Sequence, residues 1–230
     1  MKEGLDFFAG NGWTRIVSGL MGGFRLNVAI EGVPPGEEGE IVRRLGLCLD
    51  DVGVLHCSLA ELLAAGADDF SERLQERIVS LLEVGREAGG QPMSHGMEDL
   101  GLGPLSWFKF KLPRLCAQRG DYPVLVLSGY DSLLALDARQ RAEVTGGPLF
   151  EIVEDAERAY RFSVLFISAV PVNWVEFDTP PYSSAVYQRV TSYRYSKVDD
   201  AMREHVLERM PEVDRDRMQA WLQSPLGRLS

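Results

Sequence analysis

The stretch LNVAIEGVPPGEEGEIVRRL, beginning at residue 26, sets an apolar run, a glycine- and proline-rich loop and a helical pattern in that order. A phosphate-binding loop needs that order. Its glycines let backbone N–H groups wrap the phosphates, a lysine meets the β/γ charge, and a serine or threonine holds magnesium. Gly32, Gly36 and Gly39 supply the backbone freedom. The cation does not follow. The spacing G-x-x-x-x-G-K-[ST] counted from Gly32 puts Glu37 at the second glycine, Glu38 at the lysine and Gly39 at the hydroxyl. One inserted residue puts Gly39, Glu40 and Ile41 there instead. In both registers a glutamate stands where the cation belongs. A carboxylate about 4 Å from a phosphate is repelled by ~1 to 4 kcal/mol, depending on the local dielectric. The helix N-terminus offers only about half a positive charge, and Glu37, Glu38 and Glu40 already serve it. The segment reads either as a degenerate phosphate loop or as an acid-rich turn punctuated by proline and glycine.

Other chemistry-bearing residues are sparse. Cys48, Cys57 and Cys116 form no C-x-x-C pair and no even set, so three buried thiols are expected rather than disulfides or a metal site. His56, His95 and His205 are scattered, and His95 with Glu98 and Asp99 is a weak metal set. No metal site and no catalytic residue is assigned. Asp131 follows an apolar run and reads first as a turn or cap. Two stretches interleave aromatic and basic residues: WFKFKLPR (107–114), with Lys109, Lys111 and Arg114, and YQRVTSYRYSK (187–197), with Arg189 and Arg194. Such stretches can stack bases and neutralise phosphates, or form half-buried strands and helices. The chain carries 24 Lys and Arg against 34 Asp and Glu, a net charge of −10. Nucleic acid is therefore met through a local patch, or indirectly through partners, and not by the whole surface.

These residues need elements to hold them. The 230-residue chain is 45% hydrophobic and 25% charged, which fits a globular protein and excludes disordered, collagenous and coiled-coil classes. No run reaches the ~18 apolar residues of a membrane helix, and MKEGLDFFAGNGWTR lacks the apolar core of a signal peptide. A soluble, intracellular protein without membrane contact is expected. Apolar runs at 26–31, 52–57, 123–128, 162–168 and 187–194 read as strands. Between them lie helical patterns at 41–49, 70–89 and 137–161, the last with a Gly-Gly-Pro turn. Ser58 with Glu61 forms a capping box that opens a short helix closed by Gly66. The glycine-rich stretch 89–104 reads as a loop. Continuous apolar strands separated by helices specify a parallel sheet covered on both faces, an α/β three-layer sandwich. Residues 1–196 form the core, and 197–230 add helices at 197–210 and 214–223.

Several segments together resemble an AAA+ ATPase module. YPVLVLSGYDSLLAL (122–136) has the shape of its second nucleotide strand, with Asp131 and Leu133 matching the tail of that motif. GVLHCSLAELL (53–63) and FSERLQERIVSLL (70–82) are similar to the second strand and helix of initiator ATPases. VLFISAVPVNWVEF (164–177), followed by an aromatic strand and YSKVDDAMREHV (195–206), resembles origin recognition complex subunit 5. The resemblance implies a five-stranded sheet of order 5-1-4-3-2 and a place in nuclear DNA replication. It also implies that the nucleotide residues are lost: Glu38 or Glu40 replaces the Walker A lysine, Ser128 and Gly129 stand at the Walker B acids, and Ser168 is the best sensor residue. No arginine-finger motif is seen. The expectation is a pseudo-ATPase subunit of an origin recognition complex that works through protein–protein interaction and takes no cofactor, with ATP not expected. The helices from 197 resemble the start of a lid, and the likeness stops before a winged helix. Two other readings stand beside it. One is a small kinase or NTPase with an unconventional loop, in which Glu38, Glu40 and Asp131 hold a metal. The other is an unrelated α/β interaction domain.

Overall fold

The computed structural model describes residues 2–22, 26–49, 53–84, 104–119, 122–159, 161–178 and 185–224. Five strands form one sheet: β1 (Asn27–Glu31), β2 (Val54–Ser58), β3 (Val124–Ser128), β4 (Ser163–Ser168) and β5 (Thr191–Arg194). Their order is β2-β3-β4-β1-β5 and every pairing is parallel. Read from the other edge this is the expected 5-1-4-3-2. The central β3 and β4 are buried along their whole length, whereas β5 is largely exposed at the edge.

The helices are, in chain order, α1 (Lys2–Ala9), α2 (Asn11–Met21), α3 (Glu38–Cys48), α4 (Leu59–Leu63), α5 (Phe70–Val84), α6 (Pro104–Ser106), α7 (Leu112–Arg119), α8 (Ala138–Val144), α9 (Phe150–Ala159), α10 (Val172–Val175), α11 (Asp200–Arg209) and α12 (Glu212–Gln223). Side-chain alternation along the strands divides the core in two. Leu55, Cys57, Leu125, Leu127, Val164 and Phe166 face a large cluster with Phe70, Leu74 and Ile78 of α5, Ile152 of α9 and Trp174. Val28, Ile30, Val124, Val126, Leu165 and Ile167 face a second cluster, with Ile16 and Leu20 of α2 and Ile41 and Leu45 of α3. The continuous apolar runs of the strands follow from this double coverage. Val206, Met210, Met218 and Leu222 of the C-terminal helices join the larger cluster.

Several local expectations are met. Ser58 accepts from the Glu61 N–H at 3.3 Å to open α4, and Gly66 follows it at φ +94°. Phe70, Leu74, Ile78 and Leu82 of α5 are buried and Leu81 is half-buried. Cys57 and Cys116 are buried and Cys48 is half-buried, all as free thiols; burial pushes the Cys57 thiol up to about 12. The Gly-Gly-Pro turn of the helical stretch 137–161 is a π turn, Thr145–Leu149, where Gly147 takes φ −101° and ψ −108° and Pro148 has no N–H to give. Others need correction. The strand expected at 187–194 is only Thr191–Arg194; a 3-10 turn, Val186–Gln188, takes its first part. Helices α1 and α2 lie where no element was expected. The loop at 89–103 and His95, Glu98 and Asp99 lie outside the described residues. Among the described residues no helix is long and apolar enough to cross a membrane.

A buried polar group fixes the segment after β4. Glu176 accepts from the Tyr130 hydroxyl, from the Val186 N–H at 2.9 Å and from the Tyr187 N–H at 3.3 Å. Burial outweighs these donors and raises its carboxyl from 4.5 to about 7. The folded state therefore favours protonated Glu176. Its contribution is full below pH 4.5 and is lost as the pH rises through 7. A shift of this size corresponds to about 3 kcal/mol. Urea unfolding at pH 5 and pH 8 is expected to show stability falling with pH, and Glu176→Gln is expected to flatten that slope. An unchanged slope in the variant would assign the dependence to other groups.

Candidate functional site

In a wholly parallel sheet all C-terminal strand ends share one edge, where ligands of such folds bind. Here that edge carries Glu31, Ser58, Ser128, Ser168 and Arg194, with Glu31 in register with both Ser168 and Arg194. The expected phosphate loop leaves β1 at this edge and enters α3, which begins at Glu38. The helix start favours the strict register, in which Glu38 takes the position of the lysine.

The chain itself holds the loop. Gly32 sits at φ +77°, and a Cβ there would come 2.8 Å from Ser196 Oγ and 2.9 Å from Met202 Cε. The Ser196 hydroxyl donates to the Gly32 carbonyl at 2.6 Å. The Val33 N–H donates to the Ser168 carbonyl and the Glu37 N–H to the Pro34 carbonyl, both at 3.0 Å. Pro34 and Pro35 have no N–H. The N–H groups of Val33 and Glu37 are thus spent internally, and two further positions of the loop carry none. Gly36, at φ +91°, and Gly39 face open space.

The loop's acids are also engaged. Glu37 accepts from the Tyr195 hydroxyl at 2.6 Å; burial and this bond push the Tyr195 phenol up. Glu40 is gripped by Arg43 and Arg44, whose hydrogen bonds lower its carboxyl to about 2. Glu38 is raised by burial and by the nearby charge of Asp131, with Arg209 opposing. Glu31, buried at the end of β1, accepts from the Val172 N–H at 3.0 Å and the Ser192 hydroxyl at 2.8 Å.

Asp131 is the other centre. It lies in the turn after β3, as expected, but it is buried and does more than turn the chain: its Oδ1 accepts from the Ala169 N–H at 3.0 Å, while Oδ2 meets His205 Nε2 at 3.2 Å and Arg209 Nη1 at 2.9 Å. Burial pushes its carboxyl up, but these three partners outweigh burial and hold it below the usual range. Of the two Walker B positions, Ser128 Oγ bonds His56 Nε2 at 2.8 Å and Gly129 takes φ +70°, opening a 3-10 turn over Tyr130–Ala135. Burial lowers the His56 imidazole, so it is neutral at pH 7. Ser168 Oγ accepts from the Val170 N–H at 3.3 Å.

The structure thus gathers Glu38, Asp131, His205 and Arg209, whereas Glu40 is turned to its own helix. His56 and His205, which read as scattered, each meet one of the candidate residues. Sequence reasoning missed Glu31, Tyr195, Ser196, His205 and Arg209. One signal was available: His205 and Arg209 are four apart, on one helical face. Chemically, the cluster places the Arg209 cation and the His205 imidazole of α11 on a carboxylate at the strand edge, and the loop offers carboxylates in place of a cation.

No family model matches the chain, and no curated protein matches it. Among solved structures it is similar to a Walker-type ATPase of Pyrococcus abyssi, with a TM-score of 0.54 and 13% identity over 93% of this chain. The chain spans 62% of the length of that structure. Strand order, parallel pairing and this likeness agree, and the fold is a P-loop ATPase-like α/β sandwich.

Proposed function

We propose that this chain is a catalytically inactive AAA+-like subunit, kept for its architecture and working by assembly with other proteins in a replication-initiation complex of the origin recognition type. The observation that carries the inactive reading is Glu38 at the lysine position of the loop, at the start of α3. The acids that would organise magnesium are replaced by Ser128 and Gly129, which supports it. The replication context rests on the order of the segments 53–82, 122–136 and 164–206 and on their resemblance to subunit 5. Nuclear location and the absence of a bound nucleotide follow from the same reading. The test of the assembly role is recovery of the tagged chain from native extract, with its partners identified by mass spectrometry. Replication-initiation proteins are expected. Their consistent absence would remove that role.

A further inference from the structure

At the β5 edge, the residues that end the strand and the two N-terminal helices enclose an open cleft of 560 Å³, within the roughly 300–1,000 Å³ range of ligand sites. Its walls include Phe7 and Tyr193 as aromatic surfaces and Arg194 and Lys197 as cations. Arg194 and Lys197 are exposed, and among the described residues no carboxylate lies within ion-pair distance of either. Gly12 makes the aromatic wall: a Cβ there would stand 3.2 Å from Tyr193 Cδ1, so its absence lets α2 lie against the ring. Asp6, on the α1 wall, can accept from a base amine and would repel a phosphate, which leaves the phosphate to the Arg194 and Lys197 wall.

The other basic residues of the aromatic stretches are differently placed. Arg189 pairs with Glu157 at 3.3 Å and lies over Phe150. Lys109 lies over Phe110 on the segment between α6 and α7. Among the described residues, the 193–197 segment brings aromatic rings, exposed cations without an ion pair and a cavity together.

We propose that this cleft binds single-stranded nucleic acid, one base stacking on Tyr193 with its phosphates against Arg194 and Lys197. A base stacked on an aromatic ring is held without sequence preference. Two phosphate contacts predict a log–log salt slope of roughly −1.4. The inference is independent of whether the loop after β1 holds a nucleotide.

The test is fluorescence anisotropy of a labelled oligo-dT strand at low and moderate salt, with an unlabelled duplex and thymidine monophosphate as competitors. Saturable binding is expected, with the shallow salt slope above and little competition from duplex. Arg194→Glu with Lys197→Glu is expected to weaken it at least tenfold at an unchanged melting temperature, and Tyr193→Leu by about tenfold. Competition by the mononucleotide as strong as that by the strand would overturn the polymer reading in favour of a free nucleotide. No saturable binding, or binding unaltered in the double variant, would overturn the site altogether.

Discussion

Arg141→Ala is expected to lower the unfolding free energy by about 3–5 kcal/mol, the cost of leaving buried charge without its partner. Arg141 is 1% exposed, and its Nη2 lies 2.7 Å from Asp178 and 3.7 Å from Asp214. Its Nη1 donates to the Leu136 carbonyl at 3.0 Å, and the guanidinium stands 5.3 Å from the Phe177 ring centroid. One side chain therefore ties α8 to the segment after α10 and to α12. Truncation leaves both buried aspartates without the Arg141 charge, and Arg217 lies 3.6 Å from Asp214. Urea unfolding at pH 7 measures the loss. Combining Arg141→Met with Asp178→Asn and Asp214→Asn is expected to recover most of it, because the charges then vanish together. A loss under about 1 kcal/mol in the single variant would mean that water reaches the aspartates and the network is not a tie.

Asp131→Ala is expected to cost about 2–3 kcal/mol, since hydrogen bonds to a charged group are lost and the buried Ala169 N–H is left without an acceptor. The effect has a place as well as a size. His205 and Arg209 are the polar anchors of α11 on the strand edge, so hydrogen exchange is expected to rise in 200–209 while β3 and β4 keep their protection. Asp131→Asn retains an acceptor for Ala169 and is expected to fall between the two. The wild-type contribution is full above the ordinary aspartate pKa of 3.8 and is lost as the pH falls through the depressed folded value. If exchange in α11 does not change, the ion pairs do not hold it.

The sheet was legible because its signals are local. Apolar runs such as VLVLS (124–128) and SVLFIS (163–168) specify strands buried on both faces, and Ser58 with Glu61 specifies a helix start. The strand order needed the resemblance as well. The candidate site was legible along β1 and its loop, where Gly32, Glu38 and Glu40 share one stretch, and at the end of β3, where Ser128, Gly129 and Asp131 share another. Its other half depends on contacts between distant parts of the chain. Arg209 reaches Asp131, Ser196 reaches Gly32 and Tyr195 reaches Glu37 from residues more than a hundred positions away in two of the three cases. No pattern within a window of the sequence reports them. Helices α1 and α2 were hidden for another reason: Gly4, Gly10, Gly12 and Gly19 weaken helical propensity, and the packing of Phe7, Trp13, Ile16 and Leu20 against the sheet overrides it.

The central proposal is that the loop after β1, with Glu38 at the position of the lysine, does not accept a triphosphate. Equilibrium titration with labelled ATP in the presence of magnesium tests it most directly. The account predicts no saturable, magnesium-dependent binding up to millimolar nucleotide, and the same result with Glu38→Gln, since that variant restores neither the lysine nor the acids that would organise magnesium. Micromolar binding that disappears on removing magnesium would contradict it.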